Sequence, residues 1–149
     1  MRRFMLLYVV SMVLCAGSLL AISRAVAAQA DERDEAVKKL EVGKPRGNRA
    51  SVMVEVDRNL IKQYDVWIAV QPHLAPGTVW LQGTKLIGPK SRRVVFVGTE
   101  AALREPESFD ILILRAPKGT FKKEGPVDAT DLDNLGVEVL ATETVERLE

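Results

Sequence analysis

From Ser51 onward the chain alternates between apolar and polar positions. In SVMVEVD, Val52, Val54 and Val56 fall on one side and Met53, Glu55 and Asp57 on the other, the period of two of a half-buried strand. YDVWIAVQ repeats the pattern with Val66, Ile68 and Val70; TVWLQ sets Val79 beside Leu81, and TKLI follows Gly83 as a further strand. RRVVFV and FDILIL are apolar at successive positions, which predicts strands covered on both faces or placed at the middle of the sheets. Between them, TEAALREPE predicts a short helix capped at Thr99 and ended by Pro106. APKGTFKKEGP reads as a loop, DATDLDNLG as a short helix closed by Gly136, and VEVLATETVERLE as a Thr- and Val-rich final strand. About six or seven short strands separated by Gly/Pro turns predict a mainly β fold, an antiparallel Ig-like β-sandwich over residues 50–149.

The first thirty residues follow a different pattern. Arg2 and Arg3 precede an uncharged run from Phe4 to Ile22, and SRAVAAQA supplies small residues at signal-peptidase spacing. This is the layout of a secretory signal over residues 1–30, with cleavage after Ala30 or, alternatively, Ala27. The same run is long enough to span a hydrocarbon layer of about 30 Å, so an uncleaved anchor is the second reading, with membrane contact confined to residues 4–22. Either topology puts the domain outside the cytoplasm. Residues 31–49, beginning DERDEAVKKLEV, read as a charged tether or short helix leading into the sandwich.

Composition narrows the chemistry. The single cysteine, Cys15, lies in the apolar segment, so the mature chain has no disulfide, no thiolate nucleophile and no cysteine metal ligand. Loss of Arg2, Arg3 and Arg24 with the signal leaves a slight acidic excess. Dispersed charges of this kind exclude a nucleic-acid binder, which needs a basic stripe to displace counterions. The densest basic stretch, Lys44, Arg46 and Arg49 in GKPRGNR, reads as a solvated loop.

No cofactor, metal or catalytic motif stands out. His73, between Pro72 and Leu74, has no serine in a G-x-S-x-G elbow to serve, and one histidine does not make a zinc site. Asp131, Asp133 and Gly136 match three positions of an EF-hand loop, but Leu135 and Thr142 occupy ligand positions. Glu55 with Asp57, or Glu107 with Asp110, have the spacing of a glycosidase pair, about 6.5–7 Å apart on a strand face, and also that of any solvated sheet face.

The pattern WIAVQP followed past a short loop by VWLQ resembles small Ig-like or fibronectin-like domains of secreted and surface proteins in bacteria and archaea, over about Ala50 to Ala116. The second tryptophan stands two residues from Gln82 where the family pattern has three. The resemblance implies fold and location rather than an activity.

Trp67 and Trp80 are the strongest binding candidates. With a hairpin loop from Pro72 to Gly77, Ala69 faces Trp80, and the two indoles become diagonal neighbours on one outer face with Gln71 and Gln82 at its edges. Such a face suits a glycan or a peptide; covered by a chain end, it is a structural cluster instead. A one-residue slip separates the tryptophans. The expected function is a non-catalytic accessory or interaction module of the cell envelope whose partner is an envelope protein or a glycan. The alternatives are a carbohydrate- or peptide-binding module and an envelope hydrolase using strand carboxylates.

Overall fold

The computed structural model describes residues 36–98 and 106–147. The signal or anchor segment and the helix expected from Thr99 lie outside these residues. Eight strands in two antiparallel sheets dominate the described chain: β1 (Val37–Val42), β2 (Arg49–Val56), β3 (Asp65–Pro72), β4 (Thr78–Leu81), β5 (Lys90–Phe96), β6 (Glu107–Ala116), β7 (Gly125–Asp128) and β8 (Glu138–Arg147). One sheet runs β1-β2-β5 and the other β7-β4-β3-β6-β8. The alternating residues meet where the sheets face each other: Val52, Val54 and Val56 from β2, Val66, Ile68 and Val70 from β3, Phe109, Ile111 and Ile113 from β6. Each fully buried aliphatic side chain here contributes about 1.5–3 kcal/mol of hydrophobic stabilisation, so this shared core holds the two sheets together.

The five-stranded sheet carries a second core on its outer side. Trp67, Ala69, Val79, Leu81, Leu112 and Leu114 point that way and are covered by Leu132, Val137 and Phe121 from the segment between β6 and β8. FDILIL is therefore buried on both faces, as its successive apolar residues require. Helix α2 (Asp131–Asn134) lies in the covering segment. Gly136 follows it with a left-handed φ of 66°, where a side chain would be strained.

Three elements differ from expectation. VKKLEV is not tether but strand β1, paired with β2; its Leu40 and Val42 pack on the shared core while Lys39 and Glu41 point to solvent. RRVVFV is covered on one side only, for β5 edges a three-stranded sheet and leaves Val94 and Phe96 exposed. TKLI forms no strand. Gly83, with φ 64°, turns the chain, and residues 82–89 cross from one sheet to the other, Gln82 N–H donating to Ile68 and Leu86 N–H to Val66. A helix that the sequence pattern did not predict, α1 (Arg58–Gln63), joins β2 to β3, capped by Asp57, whose Oδ1 accepts from Asn59 N at 2.7 Å, and anchored by buried Leu60. No described helix is long and apolar enough to cross a membrane.

Candidate functional site

The connection after β3 sets the site. Pro72 remains in the strand, opposite Phe109 of β6, and His73 N–H donates to Ser108 O. The turn is closed within residues 73–77 by Ala75 N–H to Pro72 O and Thr78 N–H to Ala75 O, with the Gln71 amide bonding Pro76 O at 2.5 Å. Keeping Pro72 in β3 shortens the loop by one residue and moves the register: Ala69 pairs with Leu81 and Val70 with Trp80. The expected pairing of Ala69 with Trp80 is thus one residue out, and a one-residue slip sends every side chain of β4 to the other face. Val79 and Leu81 join Trp67 in the outer core, and Trp80 turns to the side of Val70.

The two tryptophans therefore do not share a face. Trp67 is 3 % exposed, set edge-on to Phe121 at 5.9 Å between ring centres, while Trp80 is 45 % exposed. Among the described residues Trp67 is covered by Phe121, Leu132 and Val137, not by β1 or β8 toward the chain ends. Gln71 lies on the Trp67 side and is held to the turn, apart from Trp80. Gln82 stays with Trp80: its Oε1 accepts from Phe96 N at 3.0 Å and its Nε2 donates to Trp80 O at 3.3 Å, linking edge strand β5 of one sheet to the end of β4 in the other.

Across that link lies a groove of about 410 Å³. Val70 and Phe109 form its floor, Pro72 and Ala75 one wall, and Trp80 and Phe96 its exposed aromatic rim, with Gln82, Gly98 and Glu107 completing the lining. Arg49 lies 5.5 Å above the Phe96 ring and holds it by a cation–π contact. At the other end, Glu107 sits 3.6 Å from Nη2 of Arg147, a buried arginine whose Nη1 donates to Val97 O and whose guanidinium covers Phe109. Gly98 (φ 81°) is confined by that arginine: a Cβ there would collide with Arg147 Nη1 and press on Phe109. The polar groups of the lining are thus engaged with the protein, and the surface open to a ligand is apolar. Phe96 and Phe109 were not among the sequence candidates, and Glu107 was considered only as half of a catalytic pair with Asp110. The signal for Phe96 was present, since alternate residues of a fully apolar edge strand must face solvent when no third layer covers them.

The carboxylates considered for catalysis are dispersed and engaged. Glu55 pairs with Lys90 at 3.1 Å, and Asp57 with Lys38 at 3.2 Å besides capping α1. Asp110 bonds Nε2 of His73 at 3.0 Å and the Thr144 hydroxyl at 2.6 Å. Burial raises the Asp110 pKa, but these two partners outweigh it and hold the carboxyl below its usual range. His73 thereby clips the β3–β4 turn to β6 and β8. In the acidic segment, the Asp128 carboxylate accepts from the backbone and hydroxyl of Thr130 and orders the approach to α2. No cluster of three or more metal-ligating side chains occurs among the described residues. Comparison with protein-family models, curated proteins and solved structures finds no match to the chain.

Proposed function

We propose that the chain is a non-catalytic, extracytoplasmic interaction module that binds a polypeptide of the cell envelope through the Trp80–Phe96 groove. The observation that carries this reading is the meeting of two exposed aromatic rings, one from each sheet, over an apolar floor. Large rigid rings that close around an apolar side chain are the usual energetic centre of a protein interface. Engagement of Gln82 and Glu107 within the protein favours a peptide over a sugar, which needs free hydrogen-bonding groups around the stacking ring. Export rests on Arg2 and Arg3, the uncharged run to Ile22 and the small residues up to Ala30.

Strand order supports the Ig-like, fibronectin-like reading of the fold. With β7 taken as an insertion between β6 and β8, one sheet holds the first, second and fifth strands and the other the fourth, third, sixth and eighth. Many such domains serve as recognition scaffolds. The chain departs from the Ig pattern in lacking the inter-sheet disulfide and in turning Trp67 to the outer core.

A photo-crosslinking amino acid at Ala75, on the groove wall, is expected to capture one discrete envelope polypeptide in intact cells. The same probe at exposed Ile87, outside the groove, should capture none. Trp80→Ala should weaken the interaction by about thirtyfold, the loss typical of an aromatic hot spot. Equal capture from both positions, or binding to purified glycans that depends on Trp80, would overturn the peptide reading.

A further inference from the structure

The outer face of the three-stranded sheet divides by charge. Toward α1, Lys39 pairs with Glu41 at 2.7 Å and Lys90 with Glu55 at 3.1 Å, so the charges cancel. Toward the β1–β2 hairpin they do not. Arg46 and Arg49 bracket a two-residue turn through reciprocal backbone bonds, made by Gly47 at a left-handed φ of 59°. That turn sets Lys44 and Arg46 beside Arg49 of β2 and Arg92 of β5 around a concavity of about 570 Å³. Its floor includes Gly43 and Ser51, and a Cβ at position 43 would collide with the Ser51 hydroxyl oxygen, so glycine keeps the floor open. None of the four cations has a carboxylate partner among the described residues.

We propose that this bowl binds a phosphoryl oxyanion, either the headgroup of an anionic lipid or a soluble phosphate. Four convergent cations repel one another, and a multiply charged anion between them removes that repulsion. Three are arginines, whose planar forks match phosphoryl oxygens two at a time. Concavity separates the site from a merely basic surface, because it lets cations from three chain segments reach one ligand. Lys44, Arg46 and Arg49 were read in the sequence as a solvated loop; Arg92, distant in the chain, completes the set through the pairing of β2 with β5.

The test uses the full chain in nonionic detergent, titrated with inorganic pyrophosphate by calorimetry, and the chain in flotation assays with phosphatidylglycerol or phosphatidylcholine vesicles. R46Q/R92Q is expected to weaken pyrophosphate binding by about tenfold or more, as loss of charge-assisted bonds does. K39Q/K90Q removes the same charge from the same face and should stay within about twofold, because both lysines are exposed, lie outside the concavity and already have carboxylate partners. Trp80→Ala should leave pyrophosphate binding unchanged, which separates this site from the groove. Flotation with phosphatidylglycerol that pyrophosphate competes away identifies the lipid as source, and pyrophosphate binding without flotation identifies a soluble phosphate. Unaltered circular dichroism checks that both double variants fold. Failure to bind pyrophosphate and phosphatidylglycerol vesicles alike, or equal losses in the two double variants, would overturn the proposal.

Discussion

Trp67→Ala is expected to destabilise the domain by about 3–5 kcal/mol in denaturant unfolding, and Trp80→Ala by less than about 1 kcal/mol. The difference follows from the register. Trp67 is enclosed by Ala69, Leu114 and Phe121, so truncation leaves a cavity that strands on either side cannot close. Trp80 stands at a groove mouth, where truncation admits water rather than creating a void. Trp67→Phe should be milder, about 1–2 kcal/mol, because the indole Nε1 is buried without a hydrogen-bond partner among the described residues and phenylalanine removes that donor along with part of the volume. Near-equal losses for the two alanine variants would mean that both rings are packed in the same way.

Asp65→Ala should cost about 3 kcal/mol at neutral pH, the usual loss when one partner of a buried charge network is removed. Asp65 opens β3 and is 2 % exposed; its Oδ1 accepts from Lys85 Nζ at 2.8 Å and its Oδ2 from Gly119 N at 2.9 Å. Burial pushes the carboxyl up, but the Gly119 N–H and the Lys85 ammonium outweigh it and hold its pKa below the ordinary value. A carboxylate with a depressed folded pKa stabilises the native state above its unfolded pKa, near 3.9, and that stabilisation disappears as pH falls through the lower folded value. Wild type and Asp65→Asn should therefore differ most at neutral pH and converge on acidification below about pH 3.9. A difference constant from pH 7 to pH 2.5 would place its origin in packing rather than in charge. Lys85→Met should cost less than Asp65→Ala, since half of the lysine is in water and Gly119 still serves the carboxylate.

Much of this architecture is written in residues that alternate. Val52 to Val56, Val66 to Val70 and the doubly apolar FDILIL identified the inner strands because each buries an apolar set in the core shared by the two sheets, FDILIL adding a second set to the outer core. Edge elements were harder to read. In VKKLEV, only Leu40 and Val42 are needed to seal an edge, and the three charges Lys38, Lys39 and Glu41 around them resemble a tether. The helix Arg58–Gln63 lasts barely more than one turn, too short for its periodicity to emerge, although Asp57 before Leu60 was a capping signal. The site was legible in part. Trp80 and Gln82 were correctly associated, but their neighbours depended on one hydrogen-bonded register, and both a six-residue and a five-residue loop satisfy the same hydrophobic pattern. Phe96, Phe109 and Arg92 reach their sites through strand pairings across long stretches of chain, which local pattern does not encode.

Pro72 stays in β3 and so places Trp80 at the groove, on the side opposite the outer core that holds Trp67. Acrylamide quenching of Trp67→Phe, which leaves Trp80 as sole fluorophore, against Trp80→Phe, which leaves Trp67, measures this directly. The Trp80 signal should be red-shifted and quenched several times more steeply, while that of Trp67 should be blue and nearly unquenched. Two indoles with the same emission maximum and the same quenching slope would contradict the register and, with it, the groove.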